Sequence, residues 1–250
     1  MQQTILITGA TAGFGAAFAR RFVKDGHRVI ATGRRVARLE GLAAALGEAL
    51  LPVPLDVTDV AAVAGFVDAL PEGWREIDVL VNNAGLALGL GAAWDADLAA
   101  WDRMVATNIS GLMHVTRAVL PAMVARNRGT ILNLGSVAGT YPYPGGHVYG
   151  GTKAFVEQFS LNLRADLVGR NIRVTSIEPG LVGGSEFSQV RFGDAEKAAA
   201  VYAGTKPLLP DDIAETAAWI IGLPQHVNIN RIEMMPVCQA SAAFAIKRQE

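Results

Sequence analysis

The sequence is poor in cysteine and contains few histidines. Cys238 is the single cysteine among 250 residues, so no disulfide can form within the chain. The four histidines are scattered, and neither a CxxC nor an HExxH pattern is present, which argues against a zinc site. A chain of this kind is typical of a reducing compartment. We therefore predict a cytoplasmic protein without a metal site.

Charged residues are also scarce. They make up 18% of the chain, and 22 Lys and Arg against 23 Asp and Glu leave a net charge of −1. This balance excludes a disordered tail protein and a nucleic-acid binder that relies on bulk charge. Because 51% of the residues are hydrophobic, the charged residues are too few to cover the whole surface. We expect another subunit to cover part of the apolar surface.

Signals for export or membrane insertion are lacking. The chain opens on Met1 and two glutamines with no basic region or cleavage pattern, so we expect no signal peptide. The longest uncharged stretch, residues 129–152, contains Pro142, Pro144 and several glycines. Such a stretch cannot form a continuous apolar helix, and no contact with a membrane is expected.

Short β-branched runs alternate with helical stretches along the whole chain. Strands are predicted at residues 4–8, 28–32, 50–54, 79–82, 130–135, 173–178 and 231–236. Helices are predicted to begin near Gly13, Val36, Thr58, Leu98 and Tyr149. The alternation is typical of an α/β fold, and right-handed crossovers make a Rossmann-like, doubly wound parallel sheet the expected architecture. We predict a single domain over residues 1–250, with a substrate lid at about residues 181–210, where the apolar pattern is broken.

The helix predicted at residues 149–167 has two apolar faces. Its main stripe faces the sheet, while Ala154, Leu161 and Ala165 lie on nearly the opposite side. The second face packs either on a neighbouring helix of the same chain or on another subunit. The sequence leaves these alternatives open.

A glycine-rich turn joins the first strand to the first helix. Glycines at this position let backbone N–H groups at a helix N-terminus approach a diphosphate closely. A tight strand-to-helix turn without a ligand is the structural alternative. The candidate cofactor-binding residues here are Gly9, Thr11, Gly13, Phe14 and Gly15.

Two arginines, Arg34 and Arg35, follow the second predicted strand. A fold that prefers NAD places an acidic residue at this point, about 20 residues after the glycine turn, whereas the next acidic residue here is Glu40. Two guanidinium groups suit the 2′-phosphate of NADP, although a solvated pair remains the alternative. We predict NADP(H) as the cofactor.

Ser136, Tyr149 and Lys153 form a candidate catalytic set. Tyr149 and Lys153 are four residues apart, so both project from one helix face. A free phenol titrates near ~10, and a nearby ammonium lowers that pKa toward a value useful for proton transfer. Ser136 follows the fifth predicted strand, where its hydroxyl can bind a carbonyl oxygen. A serine hydrolase is disfavoured, because the residues around Ser136 do not form a Gly-x-Ser-x-Gly elbow.

In these motifs, and in their order, the chain resembles the short-chain dehydrogenase/reductase family over nearly its whole length. The resemblance implies that Asp56 and Val57 contact the adenine and that Asn83 lies beside the cofactor. It also implies that Tyr149 is the acid/base, that Lys153 holds the ribose hydroxyls and that Ser136 orients the carbonyl. The resemblance implies that Asn108 anchors a water molecule that relays protons. It also implies that three residues border the nicotinamide: Pro179, Gly180 and Val182.

Within that family, the runs at residues 10–15, 85–89, 149–155, 178–184, 227–230 and 233–236 resemble those of the NADP-dependent 3-hydroxy acid dehydrogenases, a subgroup known for tetramers. The resemblance implies oxidation of the β-hydroxyl of a small acid such as L-serine or L-allo-threonine, or reduction of a semialdehyde such as malonic semialdehyde. His147 departs from the asparagine expected at this position. It either alters the polar side of the substrate pocket or hydrogen-bonds other protein groups without touching substrate.

An anionic substrate needs a cationic receptor, and Arg191 in the predicted lid is our candidate. A solvated arginine is the alternative. The same guanidinium serves a carboxylate or a sulfonate, so a sulfoacetaldehyde reductase remains a related possibility. A catalytically silent NADP-binding sensor is a hypothesis of another class, and the set Asn108, Ser136, Tyr149 and Lys153 argues against it.

Overall fold

Seven parallel strands form the centre of the protein, in a computed structural model that describes residues 1–241. The strands are β1 (Thr4–Ile7), β2 (Arg28–Gly33), β3 (Leu50–Pro54), β4 (Val79–Asn82), β5 (Gly129–Leu134), β6 (Ile172–Pro179) and β7 (Arg231–Met234). The predicted strands are confirmed: the bounds of β3 and β4 match those predicted, and the ends of the other strands differ by at most two residues. Residues 242–250 of the predicted domain lie outside the described residues.

The order of the strands places a crevice at the middle of the sheet. The order is β3-β2-β1-β4-β5-β6-β7, and every neighbouring pair is parallel. The chain builds outward from β1 to β3 and then returns to place β4 on the other side of β1. In such sheets ligands bind at the carboxyl ends of the strands, where the direction of winding reverses. The predicted doubly wound α/β fold is confirmed.

The inner strands are buried on both faces. Every residue of β1, β4, β5 and β6 is buried, which explains the absence of polar alternation in the run at 79–81. Helices from both sides cover these strands. Strand β4 is the fourth of the seven strands and thus lies at the centre of the sheet.

Strand β3 is an edge strand and contains two prolines. Pro52 and Pro54 pair in register with Ala31 and Gly33 of β2. The N–H of Leu55 donates to the carbonyl of Gly33, so the alternation along the strand turns the proline nitrogens toward the open edge. Proline is tolerated there, because no hydrogen bond of the ladder is lost.

Helices cover both faces of the sheet within residues 1–241. They are α1 (Gly13–Lys24), α2 (Val36–Leu46), α3 (Val60–Ala69), α4 (Leu98–Val105), α5 (Leu112–Arg126), α6 (His147–Asp166), α7 (Phe187–Phe192), α8 (Ala195–Ala200) and α9 (Pro210–Gly222). One core contains side chains of α1, α2 and α9, and the other contains side chains of α3, α5 and α6. Helices α5, α7, α8 and α9 are not among the helices predicted from the sequence.

Local capping explains where two helices begin. The helix predicted near Thr58 starts at Val60, because the carboxylate of Asp59 accepts from the N–H of Ala62 and caps it. Helix α6 starts at His147 rather than at Tyr149. The starts predicted for α1, α2 and α4 coincide with those observed.

The second apolar face of α6 stays exposed within one chain. Leu161 is 40% exposed, and Ala154 and Ala165 are also exposed. None of the helices within residues 1–241 therefore buries this face. The exposure favours the alternative in which another subunit covers it.

The 181–210 segment leaves the sheet after β6 and returns to it. A bridge joins Val182 to Leu208, and the N–H groups of Gly183 and Leu208 donate to the carbonyls of Leu208 and Leu181. These contacts close the base of the segment, which carries α7 and α8 between its two ends. Within residues 1–241, none of the helices is long and apolar enough to span a bilayer.

Candidate active site

A cleft of about 750 Å³ lies at the carboxyl ends of the strands. Its walls come from the glycine turn, from the residues that follow β2 to β6, and from the 181–210 segment. The structure brings most of the predicted site residues to this cleft: Gly9, Thr11, Gly13, Phe14, Arg34, Arg35, Asp56, Val57, Asn83, Ser136, Tyr149, Lys153, Pro179, Gly180, Val182 and Arg191. Gly15, Asn108 and His147 are not among the lining residues.

The glycine turn is held tightly against the loop that follows β4. Gly9 has a φ of +68°, and a Cβ there would lie 2.9 Å from the Cα of Ala84. The side-chain amide of Asn83 donates to the carbonyls of Thr8 and Gly9, at 2.8 and 3.1 Å. A Cβ on Gly15 would lie 2.3 Å from the carbonyl oxygen of Gly9. Gly15 is thus required by packing, although it does not line the cleft.

The start of α1 faces this turn. Among the described residues, no side chain caps its N-terminus, so its first N–H groups are not satisfied by a capping side chain. Such groups, together with the helix dipole, favour an anion such as a diphosphate. The turn therefore has the shape and the donors that a dinucleotide requires.

The two predicted phosphate-binding arginines differ in their contacts. Arg35 donates through Nε and Nη2 to the hydroxyl of Thr11, at 3.1 and 2.9 Å. Arg34 is 68% exposed, and its Nη1 lies 3.9 Å from Oδ2 of Asp56. Burial acts to raise the pKa of Asp56, but hydrogen bonds from Thr58 and the charge of Arg34 hold that pKa below its usual value. Thr11 therefore positions one guanidinium, while the other is open to a ligand.

Tyr149 and Lys153 lie side by side on α6, as predicted. The ammonium of Lys153 donates to the carbonyl of Leu134 at 2.7 Å and lies 5.8 Å from the centroid of the Tyr149 ring. Burial lowers the pKa of Lys153 to about 8. Ser136 donates to the carbonyl of Pro179 at 3.4 Å and accepts from the N–H of Ala138. The three polar side chains thus meet at the ends of β5 and β6.

The pKa of Tyr149 does not move in the direction expected from the sequence. Burial raises it to about 12, although the hydroxyl of Ser136 and the charge of Arg191 act to lower it. The lowering effect expected from Lys153 does not outweigh this burial. Tyr149 is therefore a neutral phenol at neutral pH, able to donate a proton.

Asn108 lies in a π-helical segment, Ala106–Gly111, between α4 and α5. Its Oδ1 accepts from the N–H of Leu86 at 2.9 Å, and its Nδ2 donates to the carbonyl of Leu86 at 2.9 Å and to Thr152 Oγ1 at 3.0 Å. The side chain thus joins the loop after β4 to α6, directly before Lys153. Such irregular helical turns are frequent at functional sites. The water predicted to bind at Asn108 stays a prediction.

Arg191 reaches the catalytic end of the cleft. Its guanidinium carbon lies 5.4 Å from the centroid of the Tyr149 ring and 5.3 Å from that of Tyr143. It donates to the hydroxyl of Tyr143 at 2.8 Å and to the carbonyl of Gly89 at 3.2 Å. The ring of Phe187 lies 5.8 Å from that of Tyr149. Arg191 is therefore placed beside the candidate acid/base and is not a freely solvated arginine.

His147 is placed away from the cleft wall. Its Nε2 lies 3.1 Å from the carbonyl of Gly91, and its Nδ1 accepts from the N–H of Val148. Its ring meets that of Trp101 edge-on, with 4.8 Å between the centroids. These contacts support the alternative in which His147 hydrogen-bonds protein groups. Its predicted substrate contact stays a prediction.

The sequence analysis did not predict several residues that line the cleft. Gln239 accepts from the N–H of Leu181 through its Oε1 at 2.6 Å, where a side chain on Gly180 would collide with it. Glu186 and Tyr143 also line the cleft. The contacts of these three residues join distant parts of the chain, so sequence spacing does not reveal them. Only Tyr143, six residues before Tyr149, lies near a predicted motif. Within residues 1–241, no group of three or more His, Cys, Asp or Glu side chains could hold a metal ion.

Two relatives are similar to this chain over its whole length. An NADP-dependent 3-hydroxy acid dehydrogenase of Salmonella typhi is 60% identical over 245 residues, which cover 98% of this chain and 99% of the relative. A serine 3-dehydrogenase of Agrobacterium fabrum is 53% identical over 250 residues and all of both chains.

Solved structures and a family model agree with these similarities. The closed form of serine dehydrogenase complexed with NADP+ matches with a TM-score of 0.97 and 56% identity, over 98% of this chain and 100% of that one. The family model described as short chain dehydrogenase matches residues 3–194. The chain belongs to the short-chain dehydrogenase family.

Proposed function

We propose that the protein is an NADP(H)-dependent oxidoreductase that interconverts the β-hydroxyl of a small acid and the matching carbonyl. Substrates of this class are a 3-hydroxy acid, L-serine, L-allo-threonine or, in the reductive direction, malonic semialdehyde. One observation carries the proposal: the guanidinium of Arg191 lies 5.4 Å from the ring of Tyr149. An anion receptor beside an acid/base suits a short substrate with its reacting carbon close to a carboxylate. The names of the relatives support the same activity.

The residues of the cleft fit NADP(H). Gly9 and Gly13 line the cleft without side chains, which lets the backbone approach a diphosphate. The exposed Arg34 and the oriented Arg35 suit a 2′-phosphate. When bound, the cofactor supplies or accepts the hydride. We propose that the predicted cofactor residues hold it in the roles implied by the family resemblance.

The protein groups handle the proton and the orientation of the substrate. Tyr149 is a neutral phenol at neutral pH, since its ordinary pKa is about 10 and burial raises it to about 12. It donates a proton to the oxygen of the carbonyl as that oxygen gains charge. Ser136 hydrogen-bonds the same oxygen, and Arg191 binds the carboxylate. In the oxidative direction Tyr149 must accept the proton, so alkaline pH favours oxidation.

A panel of small substrates with NADPH and NADP+ tests the activity. We expect turnover of 3-hydroxy acids and semialdehydes, and a loss of about 10² to 10⁴ in kcat for Tyr149→Phe, which removes the proton donor. Arg191→Ala should raise KM for anionic substrates and leave simple aldehydes unaffected. Preference for sulfonates would redirect the substrate assignment. NADPH binding without any turnover would contradict the proposal and favour the sensor.

The cofactor preference has its own test. Replacing Arg34 and Arg35 together by alanine should raise KM for NADPH by about ten- to a hundred-fold, because charge-assisted hydrogen bonds to the 2′-phosphate are lost. KM for NADH should change little. Equal effects on both cofactors would show that the arginines do not bind that phosphate.

We also propose a cytoplasmic homotetramer. The exposed apolar face of α6 around Leu161 supports association, as does the low fraction of charged residues. A single cysteine fits a reducing compartment.

A further inference from the structure

Glu186 forms an ion-pair cluster that the predicted chemistry does not use. Its Oε2 accepts from Arg35 Nη1 at 2.7 Å, and its Oε1 accepts from Arg38 Nη2 at 3.0 Å. The hydrogen bond from Arg35 holds the pKa of Glu186 below its usual value. Both carboxylate oxygens are thus engaged by arginines from the start of α2, about 150 residues away in the chain.

The position of Glu186 lets this cluster hold the start of α7. Glu186 directly precedes α7, whose Phe187 and Arg191 lie against the ring of Tyr149. The far end of α7 is also held, because Arg191 and Gly89 exchange two hydrogen bonds, from Gly89 N–H at 3.0 Å and from Arg191 Nε at 3.2 Å. Helix α7 therefore spans the cleft with one anchor at each end.

We propose that Glu186 is a positioning residue that latches α7 across the cleft through Arg35 and Arg38. By fixing the start of α7, it keeps Phe187 and Arg191 against Tyr149. The substrate part of this inference rests on the proposed function, in which Arg191 binds the anion. The latch itself is a property of the protein alone.

The strength of the cluster suits a device that opens and closes. Glu186 is 35% exposed, and Arg35 and Arg38 are 47% and 58% exposed. An exposed ion pair changes an equilibrium constant by at most about five-fold. Two such pairs favour the closed segment, yet they are weak enough for the segment to open in each catalytic cycle. A buried ion-pair network would be too strong for this.

The latch shares one arginine with the predicted phosphate site. Of the five N–H groups of a guanidinium, Arg35 uses Nε and one on Nη2 for Thr11, and one on Nη1 for Glu186. Two N–H groups stay available to a 2′-phosphate. Arg38 contacts the latch without being a predicted cofactor residue, so it can be replaced without changing Arg34 or Arg35.

Limited trypsin digestion of the full chain without ligands tests the latch. Arg191 and Lys197 of the 181–210 segment are cleavage sites, and cleavage requires the segment to open. We expect Arg38→Ala, which removes one ion pair, to speed cleavage there by up to about five-fold. Glu186→Gln, which removes the carboxylate charge from both pairs, should speed it further, and the double variant should add little beyond Glu186→Gln. Glu40→Gln, an exposed carboxylate of α2 away from the cleavage sites, is the matched control and should behave as the wild type.

Kinetics separate positioning from mere stability. In Glu186→Gln and Arg38→Ala, KM for the anionic substrate should rise while kcat stays within about two-fold and the melting temperature is unchanged. Cleavage rates equal to those of Glu40→Gln would overturn the latch. Faster cleavage with an unchanged KM would overturn the positioning role. If the protein turned over none of the proposed substrates, the digestion would still decide about the latch, so the two failures are distinguishable.

Discussion

The two ends of the cleft are held by different kinds of contact. At the glycine turn, close backbone packing at Gly9 and Gly15 and the part-buried side-chain amide of Asn83 leave almost no space between β1, α1 and the loop after β4. At α7 the contacts are side-chain contacts near the surface, from Glu186 at one end and Arg191 at the other. A change at the first end should therefore cost stability of the whole fold, whereas a change at the second should alter only opening and substrate binding.

The largest effect is expected from Gly15→Ala. The new Cβ would lie 2.3 Å from the carbonyl oxygen of Gly9, so backbone must move, and we expect a loss of about 3 kcal/mol of unfolding free energy. Urea denaturation measures this loss. Gly41→Ala is the control, because a Cβ in α2 meets no atom within 4 Å and should stabilise the helix by about 0.5–1 kcal/mol. If the two variants had equal unfolding free energies, the glycine turn would not be the tightly packed end of the cleft.

Lys153 lies between the two ends of the cleft, and its lowered pKa predicts that the stability of the protein depends on pH. Its folded pKa of about 8 is below the ordinary 10.5, so the unfolded chain binds more protons between these values. Stability should therefore increase as pH rises through this window, by up to about 3 kcal/mol. Tyr149 acts oppositely above pH 10, because its folded pKa is raised to about 12.

Urea unfolding of the wild type and of Lys153→Met between pH 7 and about 10 measures this slope. The variant should lose the increase, since methionine carries no proton. The same slope in both proteins would show that Lys153 is not the group responsible.

The smallest effect is expected at the α7 end. Tyr202 shares a hydrogen bond of 2.6 Å with Ser188 of α7, and Tyr202→Phe should cost no more than about 1.5 kcal/mol of global stability. Trypsin cleavage within the 181–210 segment should nevertheless accelerate. Tyr141→Phe loses a comparable bond to Glu233, outside the cleft, and should not accelerate it. A large global loss in Tyr202→Phe would show that the segment is part of the core.

The same contrast explains what the sequence could predict. The strands, the glycine turn and the pair Tyr149 and Lys153 depend on local spacing, which is readable along the chain. Glu186 was missed because its partner Arg35 is 151 residues away. The direction of the Tyr149 pKa was missed for a similar reason, since its burial depends on how distant segments close over the ring. Helix α5 contains an internal proline, Pro121, which weakens the helical pattern.

The prolines of β3 bear on how copies of this chain can meet. An open edge of a parallel sheet offers unpaired N–H and C=O groups, and such an edge can recruit a strand from another molecule. Pro52 and Pro54 remove two N–H donors from that edge. Growth of the sheet into a continuous fibre is therefore disfavoured on this side, whereas helical surfaces and the opposite edge, at β7, carry no such restriction from these prolines.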